Sequence, residues 1–263
     1  MKRYKGLLYN LVSKDITIKY RRSVLGVLWS VLNPLLMMVV MTIVFSQMFK
    51  MSNTNPYTGA EISFALYYLT ASLIWNFVSE ATNLSMQSII SAGPLIKKVY
   101  IPKYIFPLEK CMFSFVNLIF SLIAVVFVFA FMVITGKAEL YWSMLLFPIP
   151  LIYTFIFTFG VSLILATAAT FLRDVLHLYG VFLVAWMYLT PIFYPASLFP
   201  EKFMFILKLN PLYHYVKYIR ELTLYGHVPG LTTNLICLGI ALAFLVIGVL
   251  VFRSKQNKFV LNV

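Results

Sequence analysis

Acidic side chains are scarce in this chain: Asp and Glu number eight among 263 residues, and charged residues of both signs make up only 11%. A globular chain in water carries about a quarter charged residues, so this shortage excludes a soluble domain. Cysteine is limited to Cys111 and Cys237, one at the start of an apolar run and one inside another, at opposite depths of the membrane those runs imply. That argues against a disulfide, and two thiols without histidine or acid neighbours do not make a zinc site. The histidines, His177, His214 and His227, are scattered, with no pair at metal-ligand spacing, and no G-x-S-x-G elbow occurs. A G-x-x-x-x-G-K-[ST] loop is missing too: the single Gly-Lys pair, Gly136-Lys137, has Phe131 where the upstream glycine belongs. No catalytic residue and no metal ligand set is visible, and ATP hydrolysis by that loop is excluded. A cleaved leader is not expected either, because the first apolar run starts near Val24, is too long for a signal sequence and has no small-residue cleavage site.

What the chain has in abundance is apolar sequence: 62% hydrophobic and 17% aromatic residues, with mean hydropathy +0.90. Its surface therefore faces lipid. Six runs reach or exceed the roughly 20 residues that cross a hydrocarbon core of about 30 Å; they cover 27–49, 63–89, 111–134, 141–170, 175–194 and 231–252. The expected fold is an all-α integral membrane protein, one domain over residues 1–263, with six transmembrane helices and a re-entrant hairpin before the last.

The net charge of +13 does not point to nucleic acid, since the basic residues fall between apolar runs and set orientation there. With six crossings, 15 basic residues lie on the side of both termini and 6 on the other. By the positive-inside rule both termini are cytoplasmic. Residues 1–24 read as an amphipathic helix in the inner headgroup plane, with Leu7, Leu8, Leu11, Val12 and Ile18 on one side and Asn10, Ser13, Lys14, Thr17 and Arg21 on the other. A solvated basic tail is the alternative.

Residues 91–110, SAGPLIKKVYIPKYIFPLEK, are a basic connector between the second and third runs, and Pro94, Pro102 and Pro107 break it into short pieces. In the second run Asn76, Glu80, Asn83 and Gln87, with Ser72, share one helical face. A carboxylate cannot face lipid cheaply, so the stripe serves either interhelical hydrogen bonding or a wet path. In the fifth run Tyr179, Phe182, Trp186 and Phe193 fall within about 60° on a helical wheel; they suit lipid packing or stacking on sugar rings. Residues 195–230 hold two short one-sided segments. In the first, Phe199, Phe203 and Ile206 oppose Glu201 and Lys208; in the second, beyond the Asn210-Pro211 break, Leu212, Val216 and Ile219 oppose Lys217 and Glu221. They read as a hairpin dipping into the outer leaflet, a gate or a passive interfacial element.

Four stretches, in order, carry a resemblance to a known family: KYRRSVLGVLWSVLNPLL (19–36), SAGPLIKKVYIPKYIFPLEK (91–110), FLRDVLHLYGVFLVAWMYLTPIFYP (171–195) and LNPLYHYVKYIRELTLYG (209–226). Over nearly the whole chain the sequence resembles the membrane permeases of type-2 ABC exporters for cell-surface polysaccharides such as O-antigens, rhamnans and teichoic acids. The resemblance implies a multi-pass subunit of the bacterial cytoplasmic (inner) membrane that pairs with a second copy. Two cytoplasmic ABC ATPase subunits would carry ATP and Mg, with no cofactor in this chain, and the cargo would be a lipid-linked glycan. It places ATPase coupling at Gly93, Pro94, Leu95, Ile96, Lys97 and Lys98. The glycan channel falls to Tyr67, Tyr68, Trp75, Glu80, Tyr179, Phe182, Trp186 and Phe193, and the outer gate to Phe199, Phe203, Asn210 and Pro211. Other readings are a permease for a drug or simple lipid and, from a different class, a membrane enzyme of glycolipid assembly using Glu80 as acid or base.

Overall fold

The computed structural model describes residues 4–21, 23–51 and 53–262; Lys2, Arg3 and Arg22 of the basic amino-terminal group lie outside the described residues. The chain opens with α1 (Lys5–Tyr20). A turn at Gly26, whose φ of 51° suits a residue without Cβ, leads through a 3-10 turn into α2 (Trp29–Met41), which widens into a π-helical turn over Thr42–Met48. Pro34 sits inside α2. Having no N–H, it leaves the Ser30 carbonyl without its usual donor, and the Ser121 hydroxyl, 3.2 Å away, donates instead.

A two-residue ladder, β1 (Asn53–Thr54) against β2 (Glu61–Ile62), closes the next loop. Then comes α3 (Phe64–Ser91), the most buried helix, packed on α2, α5 (Ile105–Ile134), α6 (Pro148–Phe171), α7 (Val175–Tyr188) and α9 (Pro211–Thr223). Between α3 and α5 lies the single turn α4 (Gly93–Ile96). The six-residue α8 (Met204–Leu209) precedes α9, and α10 (Leu231–Lys255) and the short α11 (Phe259–Asn262) complete the chain. Small side chains let the central helices close up: the Cys111 thiol lies 3.2 Å from the Ser162 hydroxyl and 3.5 Å from that of Ser85, joining α3, α5 and α6. Both cysteines are free and buried.

The bundle has two distinct ends. At one, Ile89 of α3, Phe106 of α5, Leu163 and Ala166 of α6, Phe252 of α10 and Phe259 of α11 form one apolar cluster, against which Ile96 also packs. This is the basic end. At the other, the Asn55–Ala60 loop, Gly136–Tyr141 and the end of α9 converge.

Among the described residues four stretches are long and apolar enough to cross a membrane: Gly26–Met48, Ile105–Ile134, Trp142–Phe171 and Leu231–Lys258. The central helix α3 matches the second expected run in length, but its polar stripe lowers its apolarity. The fifth run is shorter than expected: α7 stops at Tyr188, a 14-residue helix of about 21 Å at 1.5 Å per residue. Pro191, which cannot continue a helix, follows two residues beyond the Leu189 cap.

Other boundaries shift for equally local reasons. Ile105 to Lys110 belong to α5 rather than to the connector, because Pro107 falls in the first helical turn, where a missing N–H costs nothing. The broken connector is therefore 92–104. On α1 the half-buried face runs through Leu7, Leu8, Leu11, Val12, Asp15 and Ile16, whereas Ile18 is exposed; Asp15 is drawn inward by Lys110. In the 195–230 segment Phe199, Phe203 and Ile206 do not share a helix: Ala196–Leu198 and Glu201–Phe203 are separate 3-10 turns, divided by Pro200. α9 buries Arg220 and Glu221 as well as its apolar face, so Glu221 does not oppose the core as its wheel position suggests. The carboxyl-terminal tail also packs rather than only marking orientation, since Phe259 is fully buried.

Candidate functional site

The exposed edge of α3 is its polar stripe. Asn76, Asn83 and Gln87 are exposed and Ser79 and Glu80 half-buried, while nearly every other position is covered; Ser72, expected on this face, is buried. Asn76, Ser79, Glu80 and Asn83 of the stripe line a cleft of about 700 Å³ together with Lys19, Trp29, Asn33, Tyr68 and Asn117, and Gln87 lies outside it. Glu80 is held there by two helices. It accepts from Lys19 Nζ at 2.8 Å, and Asn117 Nδ2 reaches both of its oxygens at 3.2 Å. Tyr20 bonds to Ser30 and reaches Asn117 Oδ1 at 3.4 Å. Interhelical bonding is thus present on this helix face, and part of the same face is left uncovered within the chain.

Lys19, Trp29, Asn33 and Asn117 escape sequence reasoning because their partners are remote in the chain. The spacing of Asn117 and Ser121, one helical turn apart in an apolar run, was the available signal. At the basic end, Lys110 links Asp15 of α1 to Glu109 of α5, the latter at 3.3 Å. Burial alone would raise the Asp15 carboxyl, but the hydrogen bond from Lys110 and the neighbouring positive charges hold it below its usual range. α1 is thereby tied to α5 beside the connector. Lys103 joins the connector to the far end of the chain, donating to the Gln256 carbonyl at 2.5 Å.

The aromatic residues expected to act together divide among three places. Tyr68 lines the cleft, and beside it Phe193 stacks between Tyr68 at 5.9 Å and Phe45 at 5.4 Å. Because α7 has ended, Phe193 does not continue the stripe of Tyr179, Phe182 and Trp186. Those three border a separate apolar groove of about 530 Å³ with residues of α6, α8, α9 and α10. Trp75 is buried edge-on against Trp186, with ring centroids 6.2 Å apart. Tyr67 faces a third cavity near the end opposite the connector.

Of the residues expected at the connector, Gly93 is buried and Ile96 half-buried in the basic-end cluster, whereas Pro94, Leu95, Lys97 and Lys98 are exposed. Val99 and Tyr100, just beyond, extend the exposed apolar surface. Among the expected gate residues, Phe199 stacks on Tyr194 and Phe203 is exposed. Pro211 opens α9, where its missing N–H is harmless.

Asn210 is the best-connected residue of this region. Its Oδ1 accepts from Leu212 N at 3.0 Å, capping α9, and from Trp186 Nε1 at 2.8 Å. Its Nδ2 donates to the Leu189 carbonyl at 3.1 Å and the Thr190 hydroxyl at 2.9 Å. One amide therefore pins the α8–α9 junction to the end of α7. Asn210→Ala is expected to lower stability by about 3 kcal/mol, from the lost cap and stranded buried partners. Asn210→Ser, which keeps an acceptor for the Leu212 N–H at the cap, should lose less. Thermal unfolding of the purified variants checks the order; an alanine variant as stable as the parent would refute it.

A sequence profile described as ABC-2 type transporter matches residues 7–224. The chain is 30% identical to an O-antigen export system permease protein RfbA of Klebsiella pneumoniae, over 98% of this chain and 97% of the relative. It is 32% identical to a second protein of that name from the same organism, over 86% and 85% of the two chains. A Myxococcus xanthus protein of that name is 25% identical over 97% and 95%.

Proposed function

We propose, for a chain that belongs to the ABC-2 type transporter family, that it is the permease subunit of an ATP-driven exporter of a cell-surface polysaccharide. The cargo class is that of its relatives, named as O-antigen export permeases. The observation that carries the reading is the cleft: amides, hydroxyls, a cation and a carboxylate gathered beside aromatic rings, in a chain otherwise built to face lipid. Such a surface suits a hydroxyl-rich polymer and is costly against hydrocarbon.

A second copy covers that surface in this proposal. Gly26–Met48 has no buried residue in one copy, although it borders the cleft. Two clefts closed across a two-fold axis would form the path for a lipid-linked glycan. In the bilayer, α3 and α7 complete six crossings with the four apolar stretches, and the segment before α10 returns through the outer leaflet. Both termini then lie on the cytoplasmic face of the inner membrane, an orientation that the basic end supports. ATP and Mg bind two separate ATPase subunits, since this chain has no phosphate loop. The lining offers Glu80 no histidine or second acid to tune it, which disfavours the enzyme reading.

Capture of the tagged chain from its host membrane should bring down an ABC ATPase; its absence under conditions that preserve the complex would overturn the reading. Asn76→Leu with Asn83→Leu tests the cleft, because neither side chain bonds within the described residues. Surface polysaccharide is expected to fall by about tenfold with the assembly intact. Normal export by the double variant would remove the cleft from the path.

A further inference from the structure

We infer that the cavity bordered by Tyr67, Tyr213, Lys217, Arg220 and Tyr225 is a binding site for an oxyanion, a carboxylate or phosphate. It has a volume of about 400 Å³ and lies where β1, the turn after Pro191 and α9 meet. Two cations line it and no acid does. That imbalance is unusual in a chain whose other internal cation of this kind, Lys110, is met by two carboxylates.

Arg220 carries the argument. It is 4% exposed, and burial of a guanidinium calls for a carboxylate or an equivalent anion. None is supplied among the described residues. One terminal nitrogen donates to the Pro191 carbonyl at 2.8 Å, and the other to the Tyr67 carbonyl at 3.1 Å and that of Ile192 at 3.4 Å. Its guanidinium carbon sits 3.4 Å from the centroid of the Tyr67 ring. These contacts fix the side chain but leave its charge uncompensated, and its Nε has no partner. Glu221, the neighbouring acid, does not line the cavity and is turned to Lys217, whose Nζ lies 3.6 Å away.

Further donors converge on the same space. Asn53 is 3% exposed, and neither atom of its amide has a partner. The hydroxyls of Tyr213 and Tyr225 make no hydrogen bond among the described residues, and Lys217 is half-exposed with only a long ion pair. A planar guanidinium fixed in place, a movable ammonium and two free phenols are the donors that recognise a carboxylate or phosphate. The volume admits one sugar-sized group, and the tyrosine rings offer it a stacking surface.

The test is a calorimetric titration of the purified full-length chain in phosphatidylcholine nanodiscs with glucuronate, inorganic phosphate and, as the uncharged control, glucose. Glucuronate or phosphate should bind saturably, with glucose at least about tenfold weaker. Lys217→Gln and Ser197→Asp, the latter placing an acid at the exposed rim, should each weaken that binding by about tenfold while unfolding at the parent temperature. Nanodiscs doped with phosphatidylglycerol distinguish the source of the anion: competition with glucuronate assigns the site to a lipid headgroup, and its absence to a soluble or polymer-borne group. Lack of saturable binding by both anions, equal binding of glucose, or unchanged affinity in both variants would overturn the inference. No turnover is measured, so such a failure leaves the export reading standing.

Discussion

Replacing Leu95 and Val99 by aspartate is expected to abolish export while leaving the bundle folded. Leu95 is 38% and Val99 52% exposed, and Tyr100 beside them is 92% exposed, at a turn flanked by Lys97 and Lys98. A large part of each of these apolar groups is left uncovered by the described residues, and in the proposed exporter the energy for transport arrives from an ATPase at this end. A docked partner would bury them, and two carboxylates placed in such a contact should weaken it by about 100-fold, at roughly 1.5 kcal/mol each. The measurements are partner retention on capture and surface polysaccharide in the same cells, with size-exclusion behaviour of the variant as the fold control. Retained partner and normal export would refute coupling at this surface. Ile96 is the wrong residue for this test, because it packs in the basic-end cluster near Ile89, Phe106 and Phe259, and a charge there would break the fold instead.

The difference between Leu95 and Ile96 shows what a sequence can and cannot reveal here. Both are aliphatic and adjacent, in a proline-broken basic connector that was legible from residue types alone. Which of them faces outward depends on Phe252 and Phe259, more than 150 positions later. The α3 stripe was legible because Asn76, Glu80, Asn83 and Gln87 recur at the helical period, and the structure leaves that face uncovered. The lysine and asparagine that complete it come from α1 and α5, and no local pattern marks them. Helical wheels failed where their premise failed. Phe193 was placed on a wheel that ends at Tyr188, and Ile18 was placed on the covered face of α1 but is exposed. Arg220, one of the six basic residues counted on the outer side, is buried in α9, which a count by side does not reveal.

Gly160→Val and Gly248→Val are each expected to yield no stable protein, although both glycines sit in helix interiors where propensity alone would favour a larger residue. α6 and α10 cross at these two positions. A Cβ at Gly160 would lie 2.5 Å from the carbonyl carbon and oxygen of Phe244 and 2.6 Å from the Leu245 nitrogen. One at Gly248 would collide with the Gly160 carbonyl oxygen. The obstacles are backbone atoms of an intact helix, which cannot swing aside as a side-chain terminus does, so the helices must separate along their shared face. Overpacking by one methyl typically costs about 1–3 kcal/mol, and a branched side chain exceeds that against a total stability of about 5–15 kcal/mol. Gly160→Ala should therefore be folded but measurably weakened. Gly239, on the same helix α10, has open space around its Cβ position, so Gly239→Ala should be neutral or stabilising by up to about 1 kcal/mol. Thermal unfolding of the four variants in one detergent separates the outcomes. If Gly160→Ala and Gly239→Ala behave alike, the close crossing of α6 and α10 does not hold the bundle together, and the positions of α3 and the cleft beside it lose their explanation.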